Sequence, residues 1–218
     1  VTASPHAYGP SEFINETLVS RETLDRLTTY VNLLVEWNER LNLVAPSTIA
    51  DVWRRHILDS AQLAALIPPE AKTLVDLGSG AGFPGLVLAI MLADRPGLRV
   101  HLVESIQKKC RFLEAVIAAT SAPAEVHAGR AEDMRLKADV VTARAVAPLD
   151  RLLPLAHPFF RPGTIALFLK GRSLNDELTL ATKSWTLAAT PIPSRSDPSG
   201  YVLRVTGLTP WRRSPKPS

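Results

Sequence analysis

Apolar residues recur at spacings of three and four through Leu24, Leu27, Val31, Leu34, Trp37 and Leu41, one face of a helix. Ser20 is placed to cap it, and the pattern stops near Leu43, before Pro46. A second helical stretch is predicted from about 48 to 66, stopped by Pro68 and Pro69. Upstream, residues 1–19 read as a loose arm, because Pro5, Gly9 and Pro10 interrupt a helix. Beyond residue 70 the pattern changes to short apolar strands, at 73–77, 99–103, 124–127, 138–142 and 164–169, with an alternating edge strand at 201–206. Helices are predicted between them, at 84–93, 107–120, 149–157 (interrupted by Pro154) and 174–185. Strands alternating with helices of this length predict parallel βαβ units in an α/β fold. The expected organisation is an arm (1–19), a helical extension (20–70), an α/β domain (71–208) packed with that extension as one unit, and a flexible basic tail (209–218).

Composition narrows the class. The chain has 218 residues, 46 % hydrophobic and 21 % charged, near the globular average. Its single cysteine, Cys110, excludes an internal disulfide framework and a multi-cysteine zinc site, and fits a reducing compartment. No apolar run approaches the length of a membrane span. The first residues have no apolar core of a secretory signal, and a start at Val1 is expected of a processed or trimmed chain. The net charge is +4. Arg204, Arg212, Arg213 and Lys216 follow Asp197 with no acid among them, so the rest of the chain is balanced. Global charge is therefore weak support for a nucleic-acid partner.

The first predicted strand runs into Gly78-Ser-Gly-Ala-Gly-Phe-Pro-Gly85. A strand, glycine loop and helix make a nucleotide-type site at the carboxyl end of a parallel sheet, because glycine lets backbone approach a ligand and adopt positive φ. Two registers fit. Gly80, Gly82 and Gly85 match the dinucleotide fingerprint; Asp76 followed by Gly78, Gly80 and Gly82 is an acidic residue with spaced glycines. A pyrophosphate beside Asp76 would meet like charge, costing several kcal/mol. S-adenosylmethionine has no phosphate and carries a sulfonium and an ammonium, which a carboxylate favours. Glu104, at the end of the second strand, can accept both ribose hydroxyls of either cofactor. S-adenosylmethionine is the expected cofactor, and a nicotinamide or flavin, or a bare turn, remain alternatives.

With these residues in place, the chain resembles the ribosomal RNA small-subunit methyltransferase G family, also called the glucose-inhibited division protein B family. The resemblance covers roughly residues 24 to 206. It is carried by Trp37-Asn38 with Asn42-Leu43, by Arg55-His-Ile-Leu-Asp-Ser60, by the glycine loop, and by Arg111-Phe-Leu113, Arg130-Ala-Glu-Asp133, Arg144-Ala145 and Leu169-Lys-Gly171. It implies a Rossmann-like methyltransferase fold with a mostly parallel seven-stranded sheet. It implies methyl transfer from S-adenosylmethionine, yielding S-adenosylhomocysteine, to N7 of one guanine of 16S ribosomal RNA near the decoding site. It further implies a monomeric cytoplasmic enzyme, and cofactor contacts at Gly78, Phe83, Ala131, Glu132 and Arg144. Glu104 stands where some members have Asp, and the ends are longer. Whether the substrate is free RNA, an assembly intermediate or the small subunit stays open.

The residues are compatible with this chemistry. Guanine N7 carries a lone pair and no proton, so attack on the methyl needs no general base, and catalysis becomes positioning and electrostatics. The chain has no Asp/Asn-Pro-Pro-Tyr/Phe tetrapeptide and no Pro-Cys nucleophile. Phe83 is expected at the loop mouth, over the ligand, with Ala131 and Glu132 at the adenine edge. Arg144, Lys170 and Arg172 are assigned to RNA phosphate or guanine O6, against an ion pair for Arg144 and ordinary surface charge for the others. Arg55, His56 and Asp59 share a helix with Arg54; a packing hydrogen bond between His56 and Asp59 competes with an active-site role. Lys108 and Arg111 form either a solvated face or an RNA backbone patch. Trp37, Trp53 and Trp185 are expected in the core, and His6, His101, His127 and His157 receive no role. A small-molecule or protein methyltransferase on the same fold, a nucleoside-binding module without catalysis, and a dinucleotide oxidoreductase are the competing readings.

Overall fold

The computed structural model describes residues 8–211. Its helices are α1 (Pro10–Thr17), α2 (Arg21–Leu41), α3 (Asp59–Ala61), α4 (Gly85–Met91), α5 (Gln107–Thr120), α6 (Leu149–Ala156) and α7 (Leu174–Ala181). Its strands are β1 (Thr73–Leu77), β2 (Arg99–Glu104), β3 (Ala124–Ala128), β4 (Val140–Arg144), β5 (Ile165–Lys170), β6 (Trp185–Pro193) and β7 (Tyr201–Pro210). They form one seven-stranded sheet in the order β3-β2-β1-β4-β5-β7-β6. Strands β1 to β5 are parallel, and β7 runs antiparallel to both β5 and β6. The chain winds outward in one direction from β1 and in the other from β4. The crevice at their carboxyl ends is thus a topological switch point, where ligands of open α/β sheets bind.

Ser20 caps α2 by accepting from Thr23 N at 3.1 Å, and Leu27, Tyr30, Val31 and Leu34 on its apolar face are buried. These side chains share one buried cluster with Leu74 of β1, Leu86 and Val87 of α4, and Leu102 of β2. The extension therefore covers one face of the sheet. Trp53 and Trp185 are buried, and Trp37 is half-buried against Phe112 with ring centroids 5.7 Å apart.

Several sequence expectations are corrected. The arm is helical from Pro10 to Thr17: Pro10 opens the helix at its first turn, where no N–H is needed, and Glu12 accepts from Gly9 N at 2.9 Å. Phe13 buries its ring against Trp53. The second helical stretch is not one α-helix. It passes through a 3₁₀ turn (Pro46–Asp51), a π turn (Trp53–Leu58), the short α3 and another 3₁₀ turn (Gln62–Leu66). β4 starts two residues later than predicted, because Asp139 uses its carboxylate to accept from Lys72 N and Thr73 N at 2.8 and 3.0 Å. The last helix ends at Ala181, and Trp185 begins β6, a strand missed because Pro191 and Pro193 fall within it. An edge strand tolerates proline on its unpaired side. β7 is an interior strand and continues through Pro210, which Trp185 pairs, so the predicted tail begins too early. Residues 1–7 of the predicted arm, His6 among them, and 212–218 of the tail lie outside the described residues.

Candidate active site

β1 ends at Leu77 and the glycine loop crosses the switch-point crevice. Gly78, Gly80 and Gly82 have φ of 60°, 57° and 94°, the left-handed region that costs other residues about 1–2 kcal/mol. A Cβ on Gly78 would stand 2.8 Å from Val146 Cγ2, whereas one on Gly80 would meet nothing closer than 3.7 Å. Gly82 and Gly85 face inward: a Cβ on Gly82 would meet Leu86 Cδ1 at 2.6 Å and Tyr30 Oη at 2.8 Å, and one on Gly85 would meet Leu102 Cδ2 at 2.4 Å. The first two glycines thus shape the crevice, and the last two let the loop settle onto the core.

Asp76 is not at the edge of the pocket. Its side chain is fully buried beneath the loop, accepting from Thr142 Oγ1 at 2.7 Å and Gly85 N at 3.2 Å. Burial raises its pKa to about 6, against the pull of those hydrogen bonds. It fastens β1 to β4 and to the start of α4; the carboxylates that face the crevice are others. Glu104 closes β2, with Oε2 accepting from Gly80 N at 2.9 Å and Oε1 from Ile106 N at 2.8 Å. Each oxygen keeps a further lone pair. Glu104 lines a cavity of about 210 Å³ together with Gly78, Ala131 and the exposed Glu132. On the other side of Gly78 lies a cavity of about 230 Å³ that includes Ser79, Gly80, Phe83, Lys109 and Arg144. One half of the crevice is acidic and the other basic.

Phe83 is buried, which corrects the expectation of a ring lying over the mouth. It stacks between Tyr30, 5.3 Å away, and His56, 5.0 Å away. The Tyr30 hydroxyl donates to Ala81 O. These contacts clamp the loop to the helical extension. Tyr30 was overlooked in the sequence, although it stands three residues after Leu27 and four before Leu34 on the buried face.

Arg144, at the end of β4, gathers the site. Its guanidinium stands 4.7 Å over the Phe83 ring. Nη1 donates to His56 Nδ1 at 2.9 Å and to Arg55 O at 3.2 Å, and lies 3.4 Å from Asp59 Oδ2. His56 and Asp59 therefore meet through Arg144, and the predicted direct bond between them is absent from the contacts of either side chain. Asp59 Oδ1 accepts from Ser196 Oγ at 2.6 Å and Gln62 Nε2 at 3.2 Å. Burial raises the Asp59 pKa, opposed by Ser196 and Arg144. Arg55 is exposed at a cavity of about 600 Å³ that also includes His56, Asp59 and Asp197.

Lys170 departs from the role assigned to it. Its side chain is 8 % exposed, and Nζ donates to Glu177 Oε2 at 2.7 Å and to Ala147 O at 2.9 Å. Glu177 in turn accepts from Leu149 N at 2.9 Å. This pair fixes residues 147–149 at the wall of a 540 Å³ cavity that includes Asp59, Arg144 and Asp197. Arg172 is exposed past β5, and Lys108 and Arg111 are exposed on α5. The half-buried cation facing the crevice is Lys109, which the sequence reading passed over because only its helix-mates lie on the outer face.

A mostly parallel sheet with a glycine-lined switch-point crevice defines the Rossmann-like methyltransferase class. The fold is similar to an O-methyltransferase from Bacillus cereus in complex with SAH, at TM-score 0.58 and 14 % identity over 89 % of this chain and 95 % of that chain. It is also similar to MtNAS in complex with S-adenosylmethionine, at TM-score 0.54 and 18 % identity over 92 % of this chain and 84 % of that one. The family model described as rRNA small subunit methyltransferase G matches residues 23–194. The ribosomal RNA small subunit methyltransferase G of Parvibaculum lavamentivorans is 54 % identical over 211 residues, 95 % of this chain and 93 % of that protein. Its counterpart in Rhodospirillum centenum is 57 % identical over 193 residues, 88 % of each. The chain belongs to the rRNA small subunit methyltransferase G family, and S-adenosylmethionine is its cofactor. No helix among the described residues is long and apolar enough to cross a membrane.

Proposed function

We propose that this chain transfers the methyl group of S-adenosylmethionine to N7 of a guanine in 16S ribosomal RNA near the decoding site, acting in the cytoplasm as a monomer on the small subunit or an assembly intermediate. One observation carries the reading: Arg144 and Ala145 line both the 230 Å³ cavity beside the glycine loop and the 540 Å³ cavity beyond it. Donor and acceptor spaces share a wall.

The crevice fits the cofactor by its chemistry. Gly78 lets a ligand lie against the loop, Glu104 and Glu132 offer acceptors to an adenosine, and Lys109 and Arg144 offer positive charge to an amino-acid carboxylate. The bound cofactor supplies an electrophilic methyl. The protein contributes position and field. A purine gains positive charge as N7 is methylated, and Asp59 and Asp197 on the acceptor cavity offset it. Arg144 is tethered toward His56 and Asp59, which keeps its fork from the N7 lone pair and leaves it to phosphate or O6. Arg55, Arg172, Lys108 and Arg111, all exposed, suit the RNA backbone.

The test offers labelled S-adenosylmethionine with three acceptors: unmethylated small subunits, free small-subunit RNA, and a panel of small molecules and proteins. Label in RNA supports the reading. Turnover on a compact acceptor alone, unaffected by Lys108→Gln with Arg111→Gln, replaces it with a small-molecule or protein methyltransferase.

A further inference from the structure

The sheet edge remote from β6 carries a cluster that methyl transfer does not use. His101 of β2 is in register with Glu125 of β3, and His127 stands two residues further along β3. The two-residue period of strands puts all three side chains on one face. His101 Nδ1 lies 2.8 Å from His127 Nε2, and the rings are 5.1 Å apart. His101 Nδ1 is 3.9 Å from Glu125 Oε2, and His127 Nε2 is 3.9 Å from Glu125 Oε1. One ligand atom from each residue lies within 4.8 Å of the other two. Ligand atoms held tetrahedrally at zinc distances stand roughly 3.3 Å from one another, so the two nitrogens already have close to the required spacing.

We propose that His101, Glu125 and His127 form a binding site for a first-row divalent cation of the zinc class, with solvent as the fourth ligand. Two imidazole nitrogens and one carboxylate oxygen favour such a borderline cation over magnesium or calcium, which take oxygen ligands. The imidazoles are 14 % and 28 % exposed and Glu125 is 61 % exposed. The anchoring nitrogens are therefore held by the sheet, while the carboxylate is free to swing in and water can complete the shell. The proton shared between the two nitrogens passes to solvent as the cation enters. The neighbouring cation, Arg99, is exposed two residues before His101. The site clips the edge strand β3 to β2. β3 leads through Gly129 to Ala131 and Glu132 on the cavity beside Glu104, so the clip braces a wall of the crevice without entering it. This inference stands apart from the proposed reaction.

The experiment titrates the untagged, metal-free full chain with Co²⁺ as a spectroscopic probe and then displaces it with Zn²⁺. One equivalent of Co²⁺ is expected to give the intense visible bands of a four-coordinate ion, and one equivalent of Zn²⁺ to remove them. His101→Ala and His127→Ala should each weaken binding by more than about tenfold, Glu125→Gln by less, and His157→Ala not at all. In the unsubstituted protein, Zn²⁺ should shift the imidazole resonances of two histidines together, a readout that needs no folded variant. Absence of saturable one-to-one binding, shifts at other histidines, or binding retained in both histidine variants overturns the site.

Discussion

Arg144 Nη1 donates to His56 Nδ1 across 2.9 Å, which fixes the state of the imidazole. A guanidinium only donates, so Nδ1 accepts and the ring is neutral. The remaining proton is on Nε2, which faces Thr48 Oγ1 at 2.8 Å. Burial, followed by the charges of Arg144 and Arg55, holds the His56 pKa down to about 3.

That depression makes stability depend on pH. An unfolded histidine binds its proton near pH 6.5 and the folded one near 3. The stability contributed by neutral His56 is whole above 6.5 and lost as pH falls through 3. Asp76, raised from 3.8 to about 6, acts in the opposite sense: its contribution is whole below 3.8 and lost as pH rises through 6. The two largely cancel over the acid range in the native protein. Replacing His56→Gln removes one side of the balance. Chemical denaturation should show the native protein gaining on the variant by on the order of 3 kcal/mol as pH rises from about 4 to 6.5. Parallel pH profiles refute the buried neutral histidine.

Arg144→Lys retains the charge and loses the fork that reaches His56 and Arg55 O together. Methyl transfer in single turnovers is expected to fall on the order of 100-fold through lost positioning. A variant as fast as the parent means Arg144 is only a packing residue.

The four loop glycines separate by direction. Gly82→Ala pushes against Leu86 and Tyr30 at positive φ and should cost about 3 kcal/mol or more; Gly85→Ala should cost about 2 kcal/mol. Gly80→Ala meets open space, so its cost is the roughly 1–2 kcal/mol of the left-handed backbone. Gly78→Val should lose cofactor affinity, because its side chain and Val146 contend for the crevice wall. Urea denaturation and calorimetric titration with S-adenosylmethionine read the two effects, and equal destabilisation at 80 and 82 contradicts the division.

Lys170→Ala leaves the Glu177 carboxylate without its cation and should destabilise the fold by about 3 kcal/mol. The salt dependence of RNA binding should stay unchanged. Lys108→Gln and Arg111→Gln, by contrast, should each reduce that salt slope by about one unit while sparing stability. A reduced slope in Lys170→Ala returns that residue to the RNA surface.

The sheet and its crevice were legible because β1 and α5 have apolar patterns with clear ends, and because glycines concentrate where backbone must take positive φ. Ser20, with its hydroxyl before a periodic run, marked α2. Direction was less legible. Asp76 and Phe83 belong to the right segment, but the sequence does not say that one turns under the loop and the other into Tyr30 and His56. Lys170 reads as a surface cation until α7 folds Glu177 over it, and His101 and His127 become partners only through strand register. Local composition also misled: Pro10 starts a helix rather than breaking it, and Pro191 and Pro193 sit in an edge strand.

The most direct measurement uses unmethylated small-subunit RNA, methyl-labelled S-adenosylmethionine and the full chain, followed by digestion to nucleosides and identification of the labelled atom. The proposed reaction predicts a single labelled nucleoside, 7-methylguanosine, with label released from its strand by mild reduction and base cleavage at one decoding-site guanine. Label on a ribose hydroxyl, on cytosine, or on an exocyclic amine contradicts it.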